Sequence, residues 1–339
     1  MSNLIRLASS QKLAKRDILQ LYLQLGYTLP QDTRKESILT TLEEYITYDA
    51  KTKLPQNAIS LDLGLKNMSL THLRKNKLGF LEIHRWFKRN LEPDPMFQFN
   101  PINYSKITCE FLQNEILNYN SIVDPLTVVF ERQRFRTGGA SSVLESTLKT
   151  NTIEAMLCMG ITLNNMSKNS IIRLHPSPPG AMVKYWQEKY SFQKLKSDTE
   201  SKSFRINLIL SMLYYSLKDL NLQPTNYFHF EALQTVKPKF RFSKHICDAM
   251  TDAAKSAEWM KSWKKAWSFK SESRRLFEVV NIINAAGKGK DTYNWGVVKG
   301  DDLADSLLHG ITYFEYAANR RKLFQIMQTE ADIKSSFKL

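Results

Sequence analysis

The sequence predicts an α/β protein in which a mixed β-sheet carries helices on both faces, preceded by a small helical module. Three observations predict this class. Short apolar runs bounded by turns or charged residues recur between residues 57 and 131, as strands do. Helical and strand patterns then alternate to about residue 174, and helical patterns dominate the remainder. The 339 residues are 42% hydrophobic, with only 12 glycines and 11 prolines, which favours a large folded core.

Residues 1–50 are the first predicted unit, a helical module. Apolar residues recur at helical intervals around Ile18 and Leu42, and the segment GYTLPQDT marks a turn between two helices. Thr33 with Glu36 three residues later predicts a capping box for the second helix. A helix, an extended link and a helix with several basic residues resemble a SAP-like DNA-binding module. The alternative is a helical hairpin that only packs on the main domain.

The first sixteen residues, MSNLIRLASSQKLAKR, contain four basic residues, three serines and no acid. This composition is typical of a mitochondrial transit peptide, and it also fits the first helix of the module. The segment could serve as both if only a few residues are removed on import. Residues 49–56 are the predicted linker to the second domain.

Residues 56–330 are predicted to form that second domain. The expected strands are Asn57 to Leu63, Met68 to Leu73, Gly79 to Trp86, Leu126 to Glu131 and Ser170 to Leu174. The expected helices span 104–120, 140–163, 178–189, 202–219, 243–267, 271–286 and 302–328.

The charge balance predicts an anionic partner. Lysine and arginine total 48 against 33 acids, a formal charge of +15, and residues 237–275 contribute about half of this excess. Nucleic acid and an anionic membrane surface both fit this charge. No apolar run approaches the roughly 18 residues that span a bilayer, so we expect a soluble protein.

The cysteines argue against two classes of small domain. Cys109, Cys158 and Cys247 are isolated and show no CxxC spacing, which excludes a cysteine-based zinc module and disfavours a disulfide framework. A reducing compartment is the natural interpretation.

Four carboxylates in distant parts of the chain are the candidate functional residues. Asp62 ends an apolar run in AISLDLGLKN, and Glu131 ends another in LTVVFERQRFR. Asp302 and Asp305 stand three apart in GDDLADSLLHG, so their side chains share a helix face. Acids at two strand ends and one helix start, within a basic protein, predict a divalent-metal site beside a polyanion.

Two neighbours of this helical pair have less definite roles. His309 lies on the same predicted helix face one turn further on, and it is a possible metal ligand. Asp301 is the expected N-cap of the helix, and it competes with Asp302 for the third acidic position. The spacing of an acid, two residues and an acid favours Asp302 with Asp305.

The three motifs, in this order and separation, resemble the fungal mitochondrial Holliday-junction resolvases, relatives of bacterial RuvC in the ribonuclease H-like superfamily. The resemblance extends from about residue 57 to the C-terminus, and the helical N-terminal module matches that family's layout. It implies a ribonuclease H-like sheet and a homodimer that resolves four-way DNA junctions by paired phosphodiester hydrolysis in mitochondrial DNA recombination and segregation. It implies that Asp62, Glu131, Asp302 and Asp305 are catalytic and bind Mg²⁺, with two ions per site and Mn²⁺ able to substitute.

Basic side chains near these motifs are the predicted DNA contacts. The set is Lys66, Arg132, Arg134, Arg136, Lys184, Lys261, Lys264 and Lys265. For the arginines after Glu131, solvated surface or ion pairing is the alternative, and for Lys184 the alternative is a proline-initiated helix with no DNA role. Trp259, Trp263 and Trp267 form one helical stripe, which we assign to the core rather than to base stacking.

Three other functions remain open at the level of sequence. Another ribonuclease H-like nuclease could act on RNA–DNA hybrids, and a non-catalytic protein could bind junctions without cutting them. DLGLKN also resembles the first phosphate loop of actin-like ATPases, but that fold needs a second DxG loop, which the sequence lacks. We therefore expect no nucleotide cofactor.

Overall fold

The computed structural model describes residues 3–92, 100–121, 124–131, 145–167, 171–177, 180–190, 195–224, 236–287 and 298–339. Arg132, Arg134 and Arg136 of the predicted DNA contact lie outside the described residues, as does the predicted start of the helix at 140.

A six-stranded mixed sheet forms the centre of the molecule. Its strands are β1 (Asn57–Asp62), β2 (Met68–Lys75), β3 (Leu81–Arg89), β4 (Leu126–Glu131), β5 (Arg173–Ser177) and β6 (Arg241–Phe242), in the order β5-β4-β1-β2-β3-β6. Strands β1, β4 and β5 are parallel, β2 is antiparallel to both β1 and β3, and β6 pairs in parallel with β3. The predicted mixed α/β class is confirmed.

Twelve helices accompany the sheet within the described residues. They are α1 (Asn3–Ser10), α2 (Lys15–Leu25), α3 (Lys35–Ala50), α4 (Pro101–Glu115), α5 (Glu145–Ser167), α6 (Ala181–Lys189), α7 (Asp198–Ser216), α8 (Lys244–Ala253), α9 (Ala257–Ser268), α10 (Glu272–Gly287), α11 (Asp301–Thr329) and α12 (Ile333–Phe337). None of these helices combines the length and apolar character needed to cross a bilayer.

The sheet has a hydrophobic core on each face. Alternate residues of β1 point to opposite faces, so Ile59 and Leu61 join α4 and α5 on one side, while Ala58 joins α7, α10 and α11 on the other. Every residue of β1 except Asp62 is buried, because both faces of this central strand are covered.

Two glycines fix the position of α11 against its neighbours. A Cβ built on Gly310 would lie 2.7 Å from Leu73 Cδ1 and 3.1 Å from Ser60 Cβ, so only glycine lets the helix approach β1 and β2 this closely. Gly300, directly before α11, is similarly confined, because its Cβ would lie 2.4 Å from the Ser273 carbonyl oxygen. The start of α11 is therefore held firmly against the sheet and α10.

The N-terminal helices pack on the far end of α11. Leu4 of α1 and Leu42 of α3 are fully buried in a core that includes Leu323 of α11 and Phe337 of α12. The segment 1–50 thus contains three helices rather than the two that were expected. The predicted capping box is wrong: Arg34 is the N-cap residue of α3, with no side-chain cap.

Three further boundaries differ from the sequence prediction. The single helix expected at 243–267 is divided into α8 and α9, because Ser256 caps a new helix by accepting a hydrogen bond from Trp259 N. Strand β5 lies about three residues later than predicted, at Arg173–Ser177. The two-residue strand β6 was not predicted, and it is too short to show a period-2 pattern.

Candidate active site

The carboxyl ends of the parallel strands place two of the predicted acids side by side. Asp62 is the last residue of β1 and Glu131 the last of β4. Leu61 is paired with Phe130, so the next residue on each strand lies at the same level of the sheet. Glu131 is in turn paired with Ser177, the last residue of β5.

The N-terminal turns of α11 bring the other acids to this edge. Asp302 and Asp305 lie on the side of the helix that faces the strand ends, and each forms an ion pair with a basic side chain from another element. Lys88 Nζ on β3 lies 2.6 Å from Asp302 Oδ2, and Arg205 Nε on α7 lies 2.7 Å from Asp305 Oδ1. We call Asp62, Glu131, Asp302 and Asp305 the acidic edge.

Asp301 occupies a different position from the one predicted. Gly300 is the N-cap of α11 and Asp301 is its first helical residue, so the assignment of Asp301 as the cap is wrong. Its carboxylate forms an ion pair with Lys202 of α7 at 3.3 Å. An acid in the first turn still interacts favourably with the helix dipole, which is the property that the sequence pattern reflected.

The members of the acidic edge interact electrostatically. Burial raises the pKa of Asp62 well above its usual range, and the charges of Asp305, Asp302 and Glu131 raise it further. Burial also raises the pKa of Asp305 to about 6, against the opposing effect of Arg205 and His309. These side chains are therefore close enough for each negative charge to disfavour the others.

His309 connects the helix to two of the strand ends. The side chain is only 2% exposed, its Nδ1 lies 3.0 Å from Ser177 Oγ, and its Nε2 lies 3.6 Å from Glu131 Oε2. Because Ser177 fixes one ring nitrogen, the other is directed toward the glutamate. The sequence placed His309 on the correct helix face without giving it a partner.

The donor chemistry of the acidic edge fits a hard divalent cation. All four side chains offer carboxylate oxygens, which Mg²⁺ prefers. Asp305 Oδ1 is buried and, in the part of the chain that the structure describes, accepts no well-directed hydrogen bond, although Arg205 lies nearby. No three acidic, histidine or cysteine side chains among the described residues already converge on one point at ligand distances. Coordination of one ion by three carboxylates therefore requires side-chain rotations at this edge.

Several polar residues that support the site were not found from the sequence. Lys88 and Arg205 are the clearest cases, and Ser306 is another: its Oγ lies 2.8 Å from Ser69 Oγ and 3.0 Å from Thr71 Oγ1, which ties α11 to β2. The sequence did contain an indication for Lys88, because this lysine directly follows two buried aromatic residues in the strand HRWFKR. No local sequence pattern indicates a role for Arg205, because its partner Asp305 is 100 residues away.

The predicted lysine contacts are all exposed. Lys66 follows β1 and lies 3.7 Å from Glu92, and Lys184 of α6 lies 4.0 Å from Glu188. The other three, Lys261, Lys264 and Lys265, are exposed on α9.

The tryptophan stripe of α9 lies mainly in the core, as predicted. Trp263 and Trp267 are buried, and Trp263 Nε1 donates a hydrogen bond to the Leu222 carbonyl oxygen at 3.0 Å. Trp259 is partly exposed and stacks on Trp263, with 5.2 Å between the ring centroids.

Comparison with known proteins finds a family and two relatives whose names agree with one another. Residues 58–323 match the family described as mitochondrial resolvase Ydc2 / RNA splicing MRS1. The chain is 25% identical over 330 residues to the mitochondrial cruciform cutting endonuclease 1 of Saccharomyces cerevisiae, an alignment that covers 90% of this chain and 83% of that protein. It is 27% identical over 186 residues to the Schizosaccharomyces pombe protein of the same name, covering 50% and 67% respectively.

A solved structure shares the fold. The crystal structure of the yeast mitochondrial Holliday junction resolvase Ydc2 superimposes with a TM-score of 0.54 and 15% identity, covering 93% of this chain and 98% of that one. The predicted ribonuclease H-like arrangement of the sheet is thereby confirmed.

Proposed function

The chain belongs to the family of the mitochondrial resolvase Ydc2 and the RNA-splicing protein MRS1, and from this premise we propose that it is a mitochondrial endonuclease that resolves four-way DNA junctions. The family description names both a resolvase and a splicing protein. Family membership alone therefore does not distinguish a nuclease from a protein that binds nucleic acid without cutting it. The observation that carries the catalytic proposal is the convergence of the acidic edge, whose members raise the pKa of Asp62 together with its burial. Both curated relatives are named as mitochondrial endonucleases that cut cruciform DNA.

We assign Asp62, Glu131, Asp302 and Asp305 as the catalytic and metal-binding residues. Asp302 is preferred to Asp301 because its charge acts on both Asp62 and Asp305, whereas Asp301 pairs with Lys202 outside this group. His309 is assigned a positioning role, since its Nε2 faces Glu131 and its Nδ1 is held by Ser177. These interactions fix the orientation of the glutamate at the end of β4.

The proposed cofactor is Mg²⁺, two ions per site, with Mn²⁺ as a substitute. When bound, such ions supply a nucleophilic water and stabilise the leaving oxygen of the phosphodiester. The protein's own contribution is to hold the carboxylates on rigid elements: Asp62 and Glu131 on paired strands, and the α11 acids on a helix packed closely on the sheet through Gly310. Lys88 and Arg205 add positive charge beside the acids and limit their mutual repulsion.

The substrate is proposed to bind through its phosphates. Lys66 lies in the link that follows Asp62 and, among the described residues, is an exposed base close in sequence to the acidic edge. Lys184, Lys261, Lys264 and Lys265 are exposed on other helices and would bind backbone phosphates without reading bases. Such contacts make binding strongly dependent on salt.

The module of residues 1–50 is proposed to be a SAP-like DNA-binding unit attached to the nuclease domain of residues 56–330. Its helices share a core with the C-terminal half of α11 and with α12. Any DNA bound by the module is therefore held in a fixed relationship to α11, the helix that carries two catalytic acids.

A homodimer is proposed because a four-way junction is two-fold symmetric and its resolution needs two paired cuts. Helix α5 offers a surface for this contact. Its outer side exposes Met159 by 60%, Leu163 by 55% and Met166 by 80%, at helical spacing on one face. Exposed apolar side chains in such a row are typical of a protein interface.

The experiment that tests the proposal compares the wild type with Asp62→Asn on a synthetic mobile four-way junction in Mg²⁺, with all strands mapped. We expect symmetric paired cuts by the wild type, and loss of cutting with retained junction binding in the variant. Linear duplex and RNA–DNA hybrid serve as substrate controls. Preferential cutting of the hybrid would indicate another ribonuclease H-like nuclease, and equal behaviour of the two proteins would indicate a non-catalytic binder.

A further inference from the structure

A cleft of about 500 Å³ lies between the N-terminal helices and the sheet, away from the acidic edge. Its walls are the C-terminal end of α3, the link that follows α3, the first residues of β5 and the middle of α11. None of the four carboxylates of the acidic edge lines this cleft.

The lining of the cleft is strongly basic. It contains Lys53, Arg173, Arg320 and Arg321, and the only acid in it, Asp49, forms an ion pair with Arg320 at 3.0 Å. In the described part of the chain, the side chains of Lys53 and Arg173 form no hydrogen bond or ion pair and are exposed. The excess positive charge of the cleft is therefore available to an anionic ligand.

The roles of the two neighbouring arginines differ. Arg320 donates hydrogen bonds to the Leu25 carbonyl oxygen and to Asp49, so it connects the N-terminal helices to α11 and is a structural residue. Arg321 is exposed and, among the described residues, donates a hydrogen bond to the Ala50 carbonyl oxygen alone, at 3.2 Å, so most of its guanidinium donors are available to a ligand.

The contact between β5 and α11 extends from the cleft to the acidic edge. Residues 173, 175 and 177 share one side of β5. Along this side, Ser177 contacts His309 beside Glu131, and the His175 ring packs on Tyr313 with 4.8 Å between centroids. Arg173 then reaches the cleft. Residues 173 and 177 are therefore about 13 Å apart along the strand, a distance that a few nucleotides of one DNA strand would span.

An exposed aromatic ring completes the rim. Tyr48 lines the cleft and is 72% exposed, so its face is available for contact with a sugar or a base. Basic side chains with an exposed aromatic ring are the combination that nucleic-acid surfaces use. The volume is also larger than a single small anion requires.

We propose that this cleft binds the sugar–phosphate backbone of a junction arm, a few nucleotides from the phosphate at the acidic edge, through Lys53, Arg173 and Arg321. The inference rests on the proposed junction-resolving function and adds a second, distinct contact to it. In consequence, the arm is oriented by a surface built jointly from the N-terminal module and the nuclease sheet.

The test uses the full-length chain with Asp62→Asn, so that binding can be measured without cutting. Arg173→Gln, Arg321→Gln and their combination are compared with Lys106→Gln, a matched change of an exposed base on α4 on the opposite face of the sheet. We expect each single cleft variant to reduce the slope of log affinity against log salt by about one unit and the combination by about two, with Lys106→Gln leaving it unchanged. Unchanged melting temperatures confirm that the variants remain folded.

A second arm of the experiment locates the contact on the DNA. Neutral methylphosphonate linkages are placed within the first few nucleotides from the cleavage position, or at the far end of the same arm. We expect the near substitution to weaken binding of the Asp62→Asn protein several-fold, and to have little further effect on the double cleft variant. Additive effects of the two changes would overturn the proposed contact.

Different results would refute the proposed function and the proposed cleft contact. If the Asp62→Asn protein does not prefer junctions to linear duplex, the proposed function itself fails. If it prefers junctions and the cleft variants match Lys106→Gln in affinity and salt slope, only the cleft proposal is refuted.

Discussion

Lys88 Nζ lies 2.6 Å from Asp302 Oδ2, and the lysine side chain is completely buried. The same ammonium donates a hydrogen bond to the Lys299 carbonyl oxygen at 3.1 Å. One residue of β3 thus holds both the acidic edge and the segment that leads into α11. A buried charge of this kind is tolerated only when it is paired and hydrogen-bonded.

Lys88→Met is expected to slow cleavage and to destabilise the fold, because it removes this partner while keeping a similar volume. The charge of Lys88 lowers the pKa of Asp302, which burial raises, so its loss leaves more of the carboxylate protonated at a given pH. The acid limb of the cleavage rate should therefore move to higher pH, and the free energy of unfolding should fall by about 1–3 kcal/mol. Rate–pH profiles and urea unfolding measure both effects.

Lys106→Met provides the control for Lys88→Met, since it removes an exposed lysine of α4. It should leave stability and the pH profile close to those of the wild type. A Lys88→Met protein with an unshifted acid limb would show that the lysine does not act through Asp302.

Acid destabilisation is expected from His72. This side chain is 3% exposed, and burial, followed by the charges of His84, Arg74 and Arg85, lowers its pKa to about 3. Its Nε2 lies 2.7 Å from Asn57 Oδ1, and its Nδ1 has no hydrogen-bond partner within the described residues. The folded state therefore disfavours the imidazolium form.

The sign of the pH effect follows from the lowered pKa. The unfolded chain takes up a proton near pH 6.5 and the folded chain only near pH 3, so stability is full above 6.5 and falls as the pH decreases toward 3. The loss is about 2 kcal/mol at pH 5. Urea unfolding of His72→Gln at pH 7.5 and pH 5 should show a smaller decrease than the wild type. The exposed His245→Gln should retain the wild-type decrease.

The convergence of the four acids at one edge of the sheet could be predicted from the sequence, whereas their basic partners could not. Asp62 and Glu131 end apolar strands, and Asp302 and Asp305 stand at helical spacing, so local patterns are sufficient to find them. Lys88 and Arg205 differ because their roles depend on contacts across 214 and 100 positions of the chain. Such contacts leave no local period in the sequence.

The same distinction explains the errors in the fold. The central strands have strong apolar patterns and were found within a few residues. The division between α8 and α9 depends on one serine cap, so it does not interrupt the helical pattern of 243–267 in an obvious way. Strand β6 precedes that pattern and depends on pairing with β3. Gly300 and Gly310 were visible in the motif, but the atoms that exclude a side chain there come from α10, β1 and β2.

Met159→Glu with Leu163→Glu is expected to convert the proposed dimer to a monomer, because the two charges would be buried in an apolar contact between α5 helices. Sedimentation or light scattering measures the mass, and junction assays should then show single-strand nicks in place of paired cuts. Leu78→Glu is the matched control: Leu78 is 80% exposed in the turn between β2 and β3. An unchanged mass in the α5 variant would exclude this face as the dimer contact.

Gly310→Ala is expected to destabilise the protein and to impair cleavage, although alanine favours a helix over glycine. The new Cβ would lie 2.7 Å from Leu73 Cδ1 and 3.1 Å from Ser60 Cβ, both in the buried layer between α11 and the sheet. Overpacking of this kind costs about 1–3 kcal/mol, which exceeds the helix-propensity gain of about 1 kcal/mol. Displacement of α11 would also move Asp302 and Asp305 away from Asp62 and Glu131.

Gly287→Ala supplies the matched control, because a Cβ there meets no atom within 4 Å, and it should be neutral or slightly stabilising in urea unfolding. If both variants unfold and cut like the wild type, the close approach of α11 to β1 does not set the geometry of the acidic edge.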